Sequence, residues 1–151
     1  MKTMPPGVME AGKGLDDISW NILGQTYVPK ALCEDSFSWH AFMPPGTMVP
    51  PHIHPEQDEF IYMLEGKLDL ILDGDEDFAE PGDLIRLPRG IPHGLFSNGP
   101  RPVKCLFWVT PSRRLYDLFW QLNNMGEADP AEIVAMSAKH EIDFLPPPEE
   151  G

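Results

Sequence analysis

Short apolar runs, separated by Gly, Pro and Asp, fill the first two thirds of the chain. Runs of this length with such breaks are typical of the strands of a β-sandwich or β-barrel, and not of a βαβ sheet. The predicted strands lie at 18–23, 26–28, 37–43, 60–64, 68–72, 83–87, 93–96 and 103–109. We therefore expect an all-β barrel from about residue 20 to residue 109.

The pattern changes from strand to helix after Thr110. Thr110 followed by Pro111 is a typical helix start, because proline lacks the N–H that the first helical position leaves unpaired. An apolar stripe at helical spacing follows, formed by Leu115, Leu118, Phe119 and Leu122. Asp129 and Pro130 begin a second helical pattern. The sequence thus predicts helices near 111–124 and 130–140, with an extended proline-rich tail after them.

Length and composition bound the domain organisation. A chain of 151 residues is large enough for one hydrophobic core. We predict a loose arm at 1–17, where Gly, Pro and Met lack periodicity, and a barrel at 18–110. The helices and tail at 111–151 are expected to pack on that barrel.

The net charge and the cysteine content restrict the binding partners of the protein and the cellular compartment in which we expect it. The formal net charge of −13 argues against nucleic acid, because the phosphates would be repelled. No stretch approaches the roughly 18 apolar residues of a membrane span, and residues 1–7 contain no apolar signal region. Cys33 and Cys105 are expected to be reduced thiols. These features predict a cytoplasmic protein that binds neither nucleic acid nor membranes.

Four residues in two blocks have the types and spacing of a metal site. His52 and His54 alternate along an extended segment, so both side chains point to one face. A turn can return Glu59 to the same place, and His93 supplies a third imidazole from a later block. Burying Glu59 among imidazoles without a cation would be costly. The pattern therefore predicts one divalent metal ion held by three nitrogens and a carboxylate.

The glycines and prolines around these ligands resemble the paired motifs of the cupin superfamily. The first motif is matched in full by Gly46, His52, His54, Glu59 and Gly66. The second is matched by Gly82, Pro88, Gly90 and His93, whereas Ser97 stands where asparagine is expected and Asn98 follows one residue late. The chain is similar to small single-domain bacterial cupins, including quercetin-dioxygenase-like proteins. This resemblance implies a double-stranded β-helix, or jelly-roll barrel, and a bound Fe, Ni, Mn, Co or Zn ion.

The resemblance also implies a reaction, which the residues leave open among three classes. The first is a dioxygenase acting on a small aromatic or enolic substrate, with Glu59 as both metal ligand and general base. The second is an isomerase, lyase or hydrolase that uses the ion as a Lewis acid, and the third is a module that binds a small ligand without catalysis. We expect the substrate pocket to be lined by Trp39, His40, Phe42, Tyr62 and Phe107.

The strand at 60–64 is apolar at both alternating sets of positions, so both of its faces need cover. One face can fill the barrel. The other must meet either the C-terminal helices or a second subunit. Since cupins are often dimers, we expect a homodimer.

Overall fold

A computed structural model describes residues 4–146, and within them eleven strands form two antiparallel sheets. The first five strands are β1 (Trp20–Ile22), β2 (Gln25–Leu32), β3 (Phe37–Met43), β4 (Met48–Ile53) and β5 (Asp58–Glu65). The next five are β6 (Leu68–Leu72), β7 (Asp75–Ala79), β8 (Leu84–Leu87), β9 (His93–Phe96) and β10 (Val103–Thr110). Two helices, α1 (Leu115–Met125) and α2 (Pro130–Lys139), precede the short β11 (Asp143–Phe144).

The two sheets divide the strands so that sequence neighbours often lie in different layers. One sheet has the order β1-β2-β3-β10-β5-β8, and the other has the order β11-β4-β9-β6-β7. All the pairings are antiparallel. The predicted all-β class, with two helices near the C-terminus, is confirmed.

Side chains that are buried alternate with side chains that are less buried along β3 and β10. This alternation separates the core from the outer surface. On β3 and β10 every second side chain is buried, which places Trp39 and Phe107 inside with stacked rings 4.9 Å apart. Helix α1 adds Leu118 and Phe119 to this core, and the Phe119 ring lies 5.0 Å from that of Trp39. Aromatic pairs at such distances stabilise the packing beyond the area that they bury.

Three differences between the structure and the prediction concern β7, the start of α1 and the N-terminal arm. Strand β7 has no counterpart among the predicted strands, because four of its five residues are exposed and carry no apolar alternation. Helix α1 begins at Leu115 and not at Pro111, because the carbonyls of Pro111 and Ser112 accept hydrogen bonds from the Gln57 side chain. The chain turns there before it can form a helix.

The third difference lies in the predicted N-terminal arm. A short 3-10 helix forms at Leu15–Asp17, and Lys30 Nζ donates hydrogen bonds to the carbonyls of Glu10 and Lys13. This part of the arm is thus tied to β2. Residues 1–3 of the arm and 147–151 of the predicted tail lie outside the described residues.

Two further findings bear on the sequence predictions. Cys33 and Cys105 are both free thiols, and Cys105 is buried on β10. Among residues 4–146, neither helix has the length and apolar character needed to cross a membrane.

Candidate metal centre

Three strands of the barrel bring the four predicted ligands together. His52 lies on β4 opposite His93 on β9, and Glu59 lies on β5. His54 follows the last residue of β4 by one position, so its side chain points the same way as that of His52. All four side chains are buried, each with at most 5% of its residue surface exposed.

The ligand atoms of these residues form one compact group. One nitrogen or oxygen from each of the four lies within 4.8 Å of the others. His52 Nε2 and His54 Nε2 are 3.1 Å apart, and Glu59 Oε2 lies 2.9 Å from His93 Nε2 and 3.7 Å from His54 Nε2. The structure therefore brings together the ligand set that the sequence predicts.

Hydrogen bonds on the far side of two rings fix which nitrogen faces the cluster. His52 Nδ1 lies 2.8 Å from the carbonyl of Pro50, which can only accept, so Nδ1 carries the hydrogen. His54 Nδ1 donates to Gln57 Oε1 at 2.9 Å, since the amide nitrogen of Gln57 is used on two backbone carbonyls. In neutral rings both Nε2 atoms then carry lone pairs that point into the cluster.

The protonation states of His52, His54 and Glu59 also favour the binding of a cation. Burial is the main cause that lowers the pKa of both His52 and His54, and the other imidazoles lower that of His52 further. Burial alone would raise the pKa of Glu59, but its interactions with His54 and His93 lower that pKa to about 2. Neutral imidazoles beside an ionised carboxylate are the states that metal binding requires.

Several polar atoms of the cluster lack a hydrogen-bond partner among residues 4–146. They are Glu59 Oε2 and both ring nitrogens of His93. Of these atoms, Glu59 Oε2 and His93 Nε2 lie 2.9 Å apart. A buried charge and buried lone pairs without partners cost free energy. A divalent cation would satisfy Glu59 Oε2 and His93 Nε2 together, so the residues present fit a metal ion.

A small cavity adjoins the cluster. Its volume is about 50 Å³, and His52, His54 and Glu59 form part of its wall. The remaining wall comes from the inner faces of both sheets, from both helices and from β11: Ile22, Leu23, Tyr27, Trp39, Val49, Leu95, Phe107, Leu115, Leu118, Phe119, Leu122, Ser137, Ile142 and Phe144. The C-terminal segment thus forms part of the cavity wall beside the cluster.

Two of the five residues predicted for the substrate pocket reach this cavity. Trp39 and Phe107 line it. His40, Phe42 and Tyr62 do not, because each occupies the alternate position of its strand and faces outward. The period of two puts His40 and Phe42 on the face of β3 opposite to Trp39, and Tyr62 on the face of β5 opposite to Glu59, so the same sequence pattern could have shown this.

The cavity also includes residues that the sequence analysis missed. Tyr27 is one of the alternate positions of β2 that are buried, so strand periodicity was a usable signal for it. Ser137, Ile142 and Phe144 come from the segment after the barrel. The sequence carried no signal that this segment folds back over the metal ligands.

Comparison with known proteins agrees with this geometry. The family model described as a cupin domain matches residues 39–109. KdgF from a Halomonas species has the same fold, with a TM-score of 0.61 at 20% identity, over 71% of this chain and 99% of that one. Residues 39–109 thus match a cupin domain, and the chain has the fold of solved cupin structures. The predicted double-stranded β-helix is therefore confirmed.

Two curated relatives match part of this chain. One is the tetracenomycin polyketide synthase protein TcmJ of Streptomyces glaucescens, 31% identical over half of each chain. Another is the quercetin 2,3-dioxygenase of Bacillus subtilis, 42% identical over 32% of this chain and 14% of that enzyme. The matched residues span half or less of the length of the curated relatives.

Two of the cupin motif positions in this chain have structural explanations. A Cβ atom on Gly66, whose φ is +80°, would meet the carbonyl oxygen of Pro102 at 2.4 Å, so only glycine fits. Ser97 stands where the motif has asparagine. Its hydroxyl is buried and donates to the carbonyl of Met43 at 3.1 Å, so this departure is part of the barrel wall and not of the metal centre.

Proposed function

We propose that this cupin binds one divalent metal ion through His52, His54, Glu59 and His93 and uses it as a dioxygenase. The observation that carries the proposal is the 3.1 Å separation of His52 Nε2 and His54 Nε2, both of which have their Nδ1 hydrogens committed elsewhere. Two lone pairs face each other at this distance beside an ionised carboxylate. A cation between them turns a repulsive arrangement into a favourable one.

The residues of the chain have separate roles in this proposal. A bound ion of Fe, Ni, Mn or Co would polarise a substrate oxygen and support redox chemistry with dioxygen. Gln57 holds the His54 ring in its orientation through Pro111 and Ser112. Glu59, ionised and buried, is a ligand and also accepts the proton of an enol or hydroxyl. The apolar wall, including Trp39 and Phe107, excludes water from the site.

The names of the relatives support an enolic or aromatic substrate. One relative is a quercetin dioxygenase and another is a polyketide synthase protein. Flavonols and polyketide chains both carry carbonyl groups beside enolisable positions, and such oxygens bind metal ions well. The substrate that we propose is a small molecule with this keto–enol group.

Oxygen uptake tests the dioxygenase. Metal-free protein is loaded in turn with Fe, Ni, Mn and Co, and oxygen consumption is measured with quercetin and with 2,4-pentanedione. We expect uptake that requires both the metal and the enolic compound, and that is lost in His52→Ala. Conversion of the compound without oxygen would instead support an isomerase, lyase or hydrolase. Metal binding without any turnover would support the non-catalytic ligand-binding module.

A variant of Glu59 tests its role as a base. Glu59→Gln keeps the three imidazoles, so we expect it to retain part of the metal. An amide cannot accept the substrate proton, so the rate per bound metal should fall by about a hundredfold to ten-thousandfold. A rate within a few-fold of the parent would limit Glu59 to the role of a ligand.

We also propose that a second copy of the chain covers the outer face of the six-stranded sheet. Tyr62, Leu64 and Leu84 on this face are 41%, 44% and 57% exposed. The rings of Phe60 and Trp108 stack beside them at 5.3 Å. Exposed apolar side chains that lie together mark interaction surfaces.

The distribution of charge favours a second copy at this face. Two copies that each carry −13 repel over most of their surfaces. On this face the acids are paired: Glu65 lies 3.5 Å from Lys104, and Asp58 lies 3.2 Å from Arg89. Arg86 on β8 adds a positive charge. The face is therefore a place where two acidic chains can meet with little repulsion.

A further inference from the structure

Ser137 has an unusual position on α2. It is the only residue of that helix that is fully buried, with 0% of its surface exposed. Its Oγ has no hydrogen-bond partner among residues 4–146. A buried hydroxyl is normally paired, because an unpaired one loses its hydrogen bonds to water without replacement.

The location of Ser137 indicates what pairs with it. The residue lines the cavity that His52, His54 and Glu59 also line. A helical serine commonly bonds the carbonyl four residues earlier, but no such bond forms in α2. Trp39 lines the same cavity, and its indole N–H is likewise buried without a partner among the described residues. The two residues that carry these unpaired donors therefore line one cavity beside the metal centre.

We propose that Ser137 is a ligand-binding residue, whose hydroxyl hydrogen-bonds the molecule that occupies the metal centre. The proposal rests on the metal site proposed above. The 50 Å³ of the cavity is a third of the roughly 150 Å³ that holds benzene in an apolar protein cavity, so an aromatic ring does not fit while α2 is in place. The ligand that fits is compact, with two or three heavy atoms, and has a hydrogen-bond acceptor at the end away from the metal. A dioxygen-sized molecule or a triatomic anion belongs to this class.

Azide is a suitable probe, because it has three atoms and its outer nitrogen accepts a hydrogen bond. The protein is loaded with Co²⁺, and azide is titrated while the visible absorption of the cobalt is followed. We expect Ser137→Ala to bind as much cobalt as the parent but to bind azide about tenfold more weakly. Chloride, which has no second atom to reach Ser137, should bind both proteins equally. Equal azide affinity in the two proteins would overturn the proposal.

Thermal unfolding of the metal-free protein separates a ligand-binding hydroxyl from a structural one. Ser97 is the matched control, because it is equally buried but its hydroxyl is paired with the carbonyl of Met43. We expect Ser97→Ala to lower the melting temperature and Ser137→Ala to leave it unchanged or raise it. An equal loss in both variants would show that the Ser137 hydroxyl supports the fold, and would overturn the proposal.

Two further results keep the proposals distinguishable. Ser137→Cys keeps the size of the side chain with a weak donor, and it should lose azide affinity as Ser137→Ala does. If the parent binds cobalt and only the azide difference is absent, the role of Ser137 is wrong and the metal site stands. If the parent binds no cobalt, the metal site itself is wrong, and with it the proposal for Ser137.

Discussion

The two C-terminal helices contribute to the same cavity wall, but they are attached to the barrel in different ways. Helix α1 buries Leu115, Leu118 and Phe119. The Phe119 ring lies 5.1 Å from that of Tyr27 and 5.0 Å from that of Trp39, within the barrel core. Helix α2 buries only Ser137. One helix is thus part of the core, and the other rests on it.

The half-buried Met136 of α2 packs against the core, and polar contacts at the periphery also hold the helix. Arg113 pairs with Glu141, with Nε to Oε2 at 3.0 Å, and Arg114 donates to the carbonyl of Lys139 at 2.7 Å. Strand β11, which follows α2, pairs with only two residues of β4. Exposed pairs of this kind contribute little to stability. The difference suggests that α2 and β11 can leave the barrel while α1 stays, which would open the cavity to a substrate larger than the closed cavity admits.

The largest expected effect comes from truncating one apolar residue on each helix. Phe119→Ala in α1 should lower the free energy of unfolding by about 3–5 kcal/mol, because it opens a cavity in the aromatic core. Val134→Ala in α2, where Val134 is 42% exposed, should change it by less than about 0.5 kcal/mol. Urea denaturation measures both. Similar losses in the two variants would show that α2 is anchored as firmly as α1.

Hydrogen exchange compares the local stability of α1 with that of α2 and β11 without a substitution. We expect the amides of α2 and β11 to exchange at least about a hundredfold faster than those of α1, because few buried contacts oppose their local opening. Adding Mn²⁺ should slow exchange in β11, since Phe144 pairs with the proposed ligand His52. In His52→Ala the metal should have no such effect. Equal protection of α1 and α2 in the metal-free protein would contradict the account.

Gln57 connects the metal centre to the turn that precedes α1. Gln57→Ala removes the acceptor of His54 Nδ1–H and the donors to Pro111 and Ser112. We expect metal affinity to fall by about tenfold to a hundredfold, as for other residues that orient a ligand. Calorimetric titration of the metal-free protein measures it. An unchanged affinity would mean that packing alone orients the His54 ring.

The smallest expected effect concerns the outer face of the six-stranded sheet. Leu84→Glu places a charge on an exposed apolar position of β8. We expect this variant to be monomeric at concentrations where the parent is a dimer in sedimentation experiments, with little change in metal content. Val134→Glu on α2 is the control, because it adds the same charge to a different exposed apolar residue. Dissociation by Val134→Glu and not by Leu84→Glu would place the interface at α2.

Strand periodicity and motif spacing predicted most of the barrel and the four clustered residues. Alternation defines β3, β5 and β10, since one face of each strand is buried. The acidic β7 lacks that alternation and was missed. The start of α1 depends on hydrogen bonds from Gln57, which is distant in sequence and has no local pattern.

The parts of the site that come from the C-terminal segment could not be predicted. A buried serine in a helix is indistinguishable in sequence from a solvated one, so Ser137 gave no signal. Its burial depends on how α2 rests over the mouth of the barrel. The outward position of His40, Phe42 and Tyr62, in contrast, follows from the period of the strands and was available in the sequence.

The central claim is that the buried cluster binds one metal ion, and metal stoichiometry tests it most directly. Metal-free protein is incubated with Mn²⁺ or Co²⁺, unbound ion is removed by gel filtration, and metal per chain is measured by plasma mass spectrometry. The account predicts one ion per chain in the parent and none in the His52→Ala, His54→Ala double variant. Equal stoichiometry in the parent and in a folded double variant would contradict it.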